Sequence, residues 1–466
     1  MPNLICTTSG TRLRAVVFLA FAVGAWSAVG AWFAVGARSQ TTPQQAVSRE
    51  EVVADMRPYD GPSAPGVDCS TLTGKVVCGY QGWFTTPGDG SGRGWRHYPT
   101  RGRFKPGFCG IDLWPDVSEL DDDEKHATPF HHEDGRVAQV FSSHNRKTVL
   151  RHFQWMKQYG IDGVFLQRFG VETLDPKDLR HCNVVLAHCR EGANRTGRCY
   201  AVMYDLSGLP AGGTRDVIED WKLLVDRMKI GNDPKDAAYS RHGGKPIVAV
   251  WGIGFNGRKY TLAECERLVE FLKNDKRYGG FTVLLGVPTA WRTLDADSVN
   301  DPALHRIIGK ADIVSPWTVG RYKSLKDIED HAHRLWRKDL EWCREKGKAY
   351  LPVAFPGFSW HNSHPGSPLD EIPRLKGRFL WKQYVEAKKV GAMAVYEAMF
   401  DEMDEGTAIF KCTNDPPVGE NRFLTLEGLP SDQYLWLTGM GGKLLRDEIK
   451  VTEELPVRKN EDNKMP

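Results

Sequence analysis

Residues Thr148 to Phe169 read "TVLRHFQWMKQYGIDGVFLQRF". In the first part, Thr148 to Gly160, Val149, Leu150, Phe153 and Met156 recur at helical spacing on or near one stripe. The second part, Ile161 to Phe169, is a short apolar run of strand character. Helix followed directly by strand is half of a repeating unit, and the same alternation extends in both directions. Upstream lies "KVVCGYQGWF" (Lys75 to Phe84). Downstream, "CYAVMYDLSG" (Cys199 to Gly208) follows a helix predicted over Pro176 to Asn194, and the helical "DVIEDWKLLVDRM" leads to "KPIVAVWGIGF" (Lys245 to Phe255). "TLAECERLVEFLKND" opens with Thr261 at an N-cap and Glu264 three residues on, a capping-box pattern. The remaining strands are "GGFTVLLGVP" (Gly279 to Pro288), "ADIVSPWTVG" (Ala311 to Gly320), "KAYLPVAFPGFSW" (Lys348 to Trp360) and "GAMAVYEAMF" (Gly391 to Phe400). Helices over Leu325 to Lys346 and Arg378 to Lys389 separate the last of them.

Several of these strands are continuous apolar runs, as expected where helices cover a parallel sheet. Eight strand-and-helix units predict an α/β fold of the (β/α)8 barrel type, one catalytic domain with loop insertions. An open doubly wound sheet would need a tight glycine turn and a helix after its first strand. Gly90, Gly92 and Gly94 instead precede Trp95 and His97 with no helix behind them, which argues against a nucleotide cradle. The domain is expected over residues 74–412, with a spacer at 38–73, a C-terminal extension packing on the barrel at 413–457 and a disordered tail at 458–466.

The 466 residues carry 62 Lys and Arg against 59 Asp and Glu, a net +3 that gives no field for nucleic acid or an anionic membrane surface. Fifteen Trp, 14 Tyr and 20 Phe suit a large core or stacking against a flat ligand face. At the N-terminus, Arg12 and Arg14 precede an uncharged apolar run from Ala15 to Ala37, long enough to cross a bilayer as one helix. "VGA" before Arg38 also satisfies the small-residue rule for signal cleavage. Residues 1–37 are therefore expected to export the domain, either as a cleaved signal peptide or as a retained anchor. Nine cysteines follow Cys6. Cys69 with Cys78 and Cys182 with Cys189 are local disulfide candidates, though burial as core residues accounts for most of them.

In a (β/α)8 barrel, catalytic groups sit at the mouth formed by the C-terminal strand ends. Those ends carry Tyr80, Gln81 and Trp83; Gln167 and Arg168; Tyr204 and Asp205; Trp251; Trp317 and Arg321; Phe358, Trp360 and His361. The eighth strand runs into "VYEAMFDEMDEGTAIFK", with Glu397, Asp401, Glu402, Asp404 and Glu405 crowded together. Aromatic faces pack on the C–H face of a sugar ring, and paired carboxyl groups supply the acid and the base or nucleophile of glycosidic cleavage. Glu402 and Glu405, three residues apart, would share a face if a helical turn followed the strand. Crowding resists ionisation of both, which keeps one protonated as an acid. Two competing readings remain open here. Asp401 or Asp404 could answer a helix N-terminus. "SELDDDEKH" (Ser118 to His126) and "FHHEDG" (Phe130 to Gly135) offer metal-ligand residue types, but match neither HExxH nor the calcium-loop spacing and read as solvated loop charge.

"GYQGWF", "DLWPDVSE" (Asp112 to Glu119), "FSSHN" (Phe141 to Asn145), "HFQWMKQYGIDGVFLQRF" and "FDEMDEGTAIFK" together resemble proteins related to glycoside hydrolase families 71 and 99, over about residues 74 to 412. The nearer resemblance is to family 99, endo-acting alpha-mannosidases and mannanases on a (β/α)8 barrel that works without metal or cofactor. That family's E-x-x-E-G element corresponds to "EMDEG". The resemblance implies that Glu402 assists the sugar's own 2-hydroxyl as base in a retaining, neighbouring-group route, and that Glu405 is the acid that later activates water. The family pattern has Trp, Asn and His around the pair, where this chain has Phe400, Asp401, Met403 and Asp404, so mannose specificity does not transfer with it. The expected groove lining is Tyr80, Trp83, Trp95, His97, Trp114, Asp205, Trp251, Trp317 and Trp360. The expected partner is a carbohydrate substrate acted on by a monomer. The alternative is a glycan-binding surface protein that keeps the groove without the chemistry.

Overall fold

The structure, a computed structural model, describes residues 47–458. The leader or anchor expected at residues 1–37 and the tail beyond residue 458 lie outside the described residues. No described helix is long and apolar enough to cross a membrane.

The barrel strands are β1 (Val76–Tyr80), β4 (Gly163–Phe169), β5 (Cys199–Asp205), β7 (Lys245–Trp251), β8 (Thr282–Val287), β9 (Ile313–Pro316), the pair β10 (Ala349–Tyr350) and β11 (Val353–Ala354), and β12 (Val395–Glu397). All neighbours in this ring run parallel: β1 pairs with β4 and β12, and β5, β7, β8 and β9 follow β4 in order, while the two-residue β6 (Arg241–His242) lies off the ring, antiparallel to β7. Closure depends on the seventh strand, which splits at Pro352. Its first half pairs with β9 and its second with β12. Proline has no N–H to give to a ladder, but its carbonyl still accepts from Tyr396 N at 3.0 Å. The eight predicted strands are thus the eight staves of the barrel. Strands β1, β5, β8, β9 and β12 are buried at every residue, which is why they read as apolar runs rather than alternations.

Helices α2 (Arg146–Tyr159), α3 (Pro176–Thr196), α4 (Thr214–Leu223), α5 (Leu262–Asn274), α6 (Ala303–Lys310), α7 (Leu325–His331) with α8 (Arg337–Glu345), α9 (Arg378–Val390) and α10 (Gln433–Leu445) cover the staves. In α2, Asn145 caps the N-terminus by accepting from Lys147 N, and Gly160 at φ 73° ends the helix. Val149, His152, Phe153, Met156 and Tyr159 form its buried face. The capping box of α5 forms as the sequence predicts: Glu264 accepts from Thr261 N at 2.8 Å. Each large aliphatic or aromatic side chain taken out of water here contributes on the order of 2 kcal/mol before entropy is counted.

Three elements depart from expectation. A hairpin of β2 (His126–His131) and β3 (Val137–Val140) is inserted between β1 and α2. Its β2 residues Thr128 and Phe130 point inward between exposed neighbours, while the acids of the flanking runs, Asp121, Asp122, Asp123, Glu133 and Asp134, are exposed as expected and Glu124 alone is buried. The expected spacer carries a short helix, α1 (Arg49–Ala54), closed by a Ser48–Glu51 capping box. From there the chain runs along α3: Arg49 donates to Thr173 O, Ala64 N to Asn194 O, and Val67 N to Gly197 O. It then crosses the N-terminal ends of the strands, where Arg241 N donates to Cys69 O, and enters β1. Val52, Met56, Tyr59 and Leu72 are buried under it, and that apolar content makes this segment part of the domain. Finally, no helical turn follows β12; the chain leaves the sheet in a non-helical turn over residues 401–406.

Candidate active site

Side chains alternate along a stave, one toward the barrel axis and the next toward the helices. On β1, Tyr80 takes the helix side, where its hydroxyl meets His152 Nδ1 of α2 at 2.8 Å. Gly79 faces inward, and a Cβ there would sit 2.1 Å from the Tyr396 hydroxyl. Gln81, next on the inward side, reaches the mouth. On β4, Arg168 turns out to Asp220 of α4 while Gln167 turns in and donates to the Tyr396 hydroxyl at 3.0 Å. On β5, Tyr204 turns out to the same Asp220, leaving Asp205 inside. On β12, Tyr396 is inside, and Glu397 faces out toward Tyr384 of α9.

The acidic turn is held from several sides. Both Asp401 oxygens accept backbone hydrogens of β1's end, from Gln81 N at 2.7 Å and Gly82 N at 2.9 Å. Asp112 N donates to Met403 O and Ser359 N to Glu405 O. Buried Arg374 donates to Gly406 O and Ala408 O at 2.8 and 2.7 Å, its guanidinium stacked 4.4 Å from the Tyr434 ring centre. The side chains of Glu402, Asp404 and Glu405 are thereby aimed from a fixed backbone. Glu402 accepts from Gln81 Nε2 at 3.0 Å and from Thr407 Oγ1 at 3.2 Å. Glu405 receives a hydrogen bond from the Trp360 side chain. Asp404 lies 3.3 Å from His97 Nδ1, and the His97 ring stacks on Trp83 at 3.8 Å, 6° from parallel.

Burial is the first cause of every proton affinity shift in this cluster. It raises Glu402 well above the ordinary carboxylate range, reinforced by the charges of Glu405, Asp404 and Asp401. Burial, then the Asp404 charge, pushes Glu405 up to about 8 against the Trp360 hydrogen bond. Burial raises Asp401 to about 7 and Asp205 to about 6. Burial and mutual crowding hold both glutamates above the ordinary carboxylate range, so the pair resists double ionisation; Glu402 has two hydrogen-bond donors and Glu405 one.

The mouth also holds polar atoms without a protein partner. Gln81 Oε1, Gln167 Oε1, Trp83 Nε1, Trp251 Nε1 and Asp404 Oδ1 are all buried and unpaired. Acceptors and donors of this kind match a ring of hydroxyl groups, each of which both gives and takes a hydrogen bond. Trp251 packs edge-on to Trp317 at 5.4 Å, with Arg258 over its ring, and Trp360 stacks on His364 at 4.2 Å.

Of the predicted groove residues, the structure groups Trp83 and His97 with Asp404, and Trp360 and Asp205 with Glu405; Trp251 and Trp317 pair at the next stave ends. Tyr80 does not line the groove, because it is fully buried on the helix side. Nor does Trp114, which is buried among Phe104, Phe130 and Phe423 with its Nε1 bonded to Gln139 O. Trp95 packs on Tyr98 and Phe104 and lines a separate depression of about 560 Å³ with Pro87, Lys125 and His126. Gln81, Gln167, Asp404 and Thr407 complete the cluster; strict alternation from Tyr80 and Arg168 would have singled out the two glutamines. Asp121, Asp123 and Glu124 lie close enough together to hold an ion. Lys147 already bridges Asp121 and Asp123, and Arg151 pairs with Glu124, so these acids are matched by bases of α2.

No family model matches the sequence, and no curated protein is similar to it in sequence. Among solved structures, the chain is similar to the family 99 glycoside hydrolase endo-alpha-mannosidase of Bacteroides thetaiotaomicron. The free form shares 18% identity at a TM-score of 0.58, covering 81% of this chain and 99% of that one. The same enzyme in complex with bis-tris-propane shares 16%, with the same coverage and score. A glycoside hydrolase-like protein is similar at 13% identity and a TM-score of 0.50, covering 84% and 99%. At these identities the likeness establishes the barrel.

Proposed function

We propose that this chain is a glycoside hydrolase that cleaves within a polysaccharide or glycan chain, with Glu402 and Glu405 as its acid–base pair. The observation that carries the reading is the convergence, at one barrel mouth, of two buried, mutually crowded glutamates with stacked aromatic rings and a ring of unpaired polar atoms. A sugar bound there would pack its C–H face on indole and satisfy Gln81, Gln167 and Asp404 with its hydroxyls. The likeness to an endo-alpha-mannosidase barrel supports the same reading, as does the E-x-x-E-G spacing.

In the reaction, Glu405 holds a proton at neutral pH and delivers it to the leaving glycosidic oxygen. Glu402, its anion supported by Gln81 and Thr407, accepts the proton of the sugar's 2-hydroxyl as that oxygen attacks C1, giving a 1,2-anhydro sugar. Glu405, now ionised, takes a proton from water as the water opens the anhydro ring, and Glu402 returns its proton to O2. The anomeric configuration is retained. The route requires a 2-hydroxyl trans to the leaving group, which alpha-mannosides have. Asp404, with His97 and Trp83 behind it, borders the pair and would hydrogen-bond the substrate's hydroxyls. Export by the apolar N-terminal segment would bring the enzyme to extracellular polymer.

The test is a product-resolved screen of the wild type against alpha-mannans, alpha-glucans, xylans and arabinans, with Glu402→Gln and Glu405→Gln in parallel. Release of retained-configuration products by the wild type and their loss in both variants is expected. Binding without cleavage of any member of the panel would replace the hydrolase reading with that of a glycan binder.

A further inference from the structure

The segment that runs beneath the barrel brings two cysteines together that are 130 positions apart in sequence: Cys69 Sγ lies 3.1 Å from Cys199 Sγ. Among the described residues no other two cysteine sulfurs are in contact. Cys78, Cys109, Cys189, Cys265, Cys343 and Cys412 are buried singly, and Cys182 contacts Glu172. Both partners sit on fixed backbone. Cys69 O accepts from Arg241 N at 2.6 Å, Val67 N beside it donates to Gly197 O at 2.9 Å, and Cys199 N, at the start of β5, donates to Asp162 O at 2.9 Å. A disulfide needs its sulfurs at about 2.05 Å, so closure from 3.1 Å asks for roughly an ångström of approach. Access is unequal: Cys69 is partly exposed, whereas Cys199 is buried behind it.

We propose that Cys69 and Cys199 form a reversible disulfide site that fastens residues 47–73 to the foot of β5, and that a small disulfide such as oxidised glutathione is its oxidant. The Cys69 thiolate attacks one sulfur of the oxidant and expels the first small thiolate, leaving a mixed disulfide on Cys69. Cys199 then loses its proton and attacks Cys69 Sγ, expelling the second. Two cysteine thiols are oxidised, one small disulfide is reduced to two thiols, and the two cysteine protons end on those thiols. The direction of attack agrees with the electrostatics. Contact with Cys199 lowers the Cys69 thiol below the ordinary value, while contact with Cys69 together with burial pushes Cys199 well above it.

The site is tested on the reduced, desalted, full-length protein incubated with oxidised glutathione and mapped by mass spectrometry of a non-reducing digest. One cross-linked peptide joining Cys69 to Cys199 is expected, with the loss of two titratable thiols per chain. Dithiothreitol should restore both thiols, and the oxidised form should melt at a higher temperature than the reduced form. Cys69→Ser, at a partly exposed position, should remain folded by circular dichroism and lose the cross-link. Cys199→Ser should leave Cys69 as a stable mixed disulfide with glutathione. Folded wild type that loses no thiols, that accumulates the glutathione adduct on Cys69 without closing, or that links either cysteine elsewhere would overturn the proposal. None of these readouts depends on turnover.

Discussion

Glu397 offers a measurement that needs no substrate. Its carboxyl is fully buried on the helix side of β12, accepts one hydrogen bond from the Tyr384 hydroxyl at 2.7 Å, and has its other oxygen unpaired. Burial pushes its pKa from 4.5 up to about 8. Across that window the folded protein holds a proton that the unfolded chain has released, so stability falls as pH rises. The contribution is fully present below pH 4.5, declines by about 1.4 kcal/mol per pH unit, and is gone above pH 8. Over roughly 3.5 units the loss comes to about 5 kcal/mol, an upper figure if the strand end loosens to admit water. Glu397→Gln keeps an acceptor for Tyr384 and removes the ionisation. The variant should match the wild type near pH 4.5, exceed it increasingly up to about pH 8 and level off above that, in urea unfolding followed by tryptophan fluorescence. Subtracting the wild-type curve cancels the other raised carboxyls, including Asp401 and Glu405. A difference that stays flat within about 0.5 kcal/mol from pH 5 to 9 would refute both the burial of this carboxyl and the in–out alternation that put it there. Because the side chain faces away from the mouth, turnover should be unchanged.

The remaining predictions concern the mouth. Glu402→Gln and Glu405→Gln should each lower kcat by about 10²- to 10⁴-fold with binding of oligosaccharide retained, measured by calorimetry alongside product release. With Glu405 as the acid at about 8, kcat/KM should fall above that pH; Asp404→Asn removes the neighbouring charge and should move this alkaline limb to lower pH, whereas an unmoved limb would separate Asp404 from Glu405 electrostatically. Arg374→Met breaks the bonds to Gly406 O and Ala408 O and should cost about tenfold in kcat with a smaller change in KM, since it disturbs the aim of the acid pair. If kcat holds and only thermal stability drops, the guanidinium braces the fold and not the geometry of catalysis.

Strand order was legible because helix-covered parallel strands must be apolar along their whole length, and the predicted starts at 75, 161, 199, 245, 279, 311, 348 and 391 each fall within a few residues of a stave. What was not legible follows from long-range pairing. β2 exposes Ala127, Pro129 and His131 between buried Thr128 and Phe130, an alternation with little apolar contrast that, without knowledge of its partner β3, looks like loop. A helical turn after β12 is the condition under which the spacing of Glu402 and Glu405 puts them on one face; the turn's actual shape is set by Asp112, Ser359 and Arg374, which nothing local to "EMDEG" reveals. Reading a groove from aromatics near strand ends favoured Tyr80 over Gln81, although one residue of register decides which faces the axis. Trp114 shows the same limit, since a tryptophan in a loop insertion packs where phenylalanines from β2 and from residues 413–457 meet it.

The chain ahead of β1 changes where the domain begins. Counting staves would start it at residue 74 and discard Val52, Met56 and Tyr59 together with the backbone bonds they bring to the flank of α3. A truncated product cut at that point would retain every stave and the whole acidic turn, yet present a bare apolar furrow along one helix. Poor solubility of such a product would reflect a misplaced boundary and not a defective barrel.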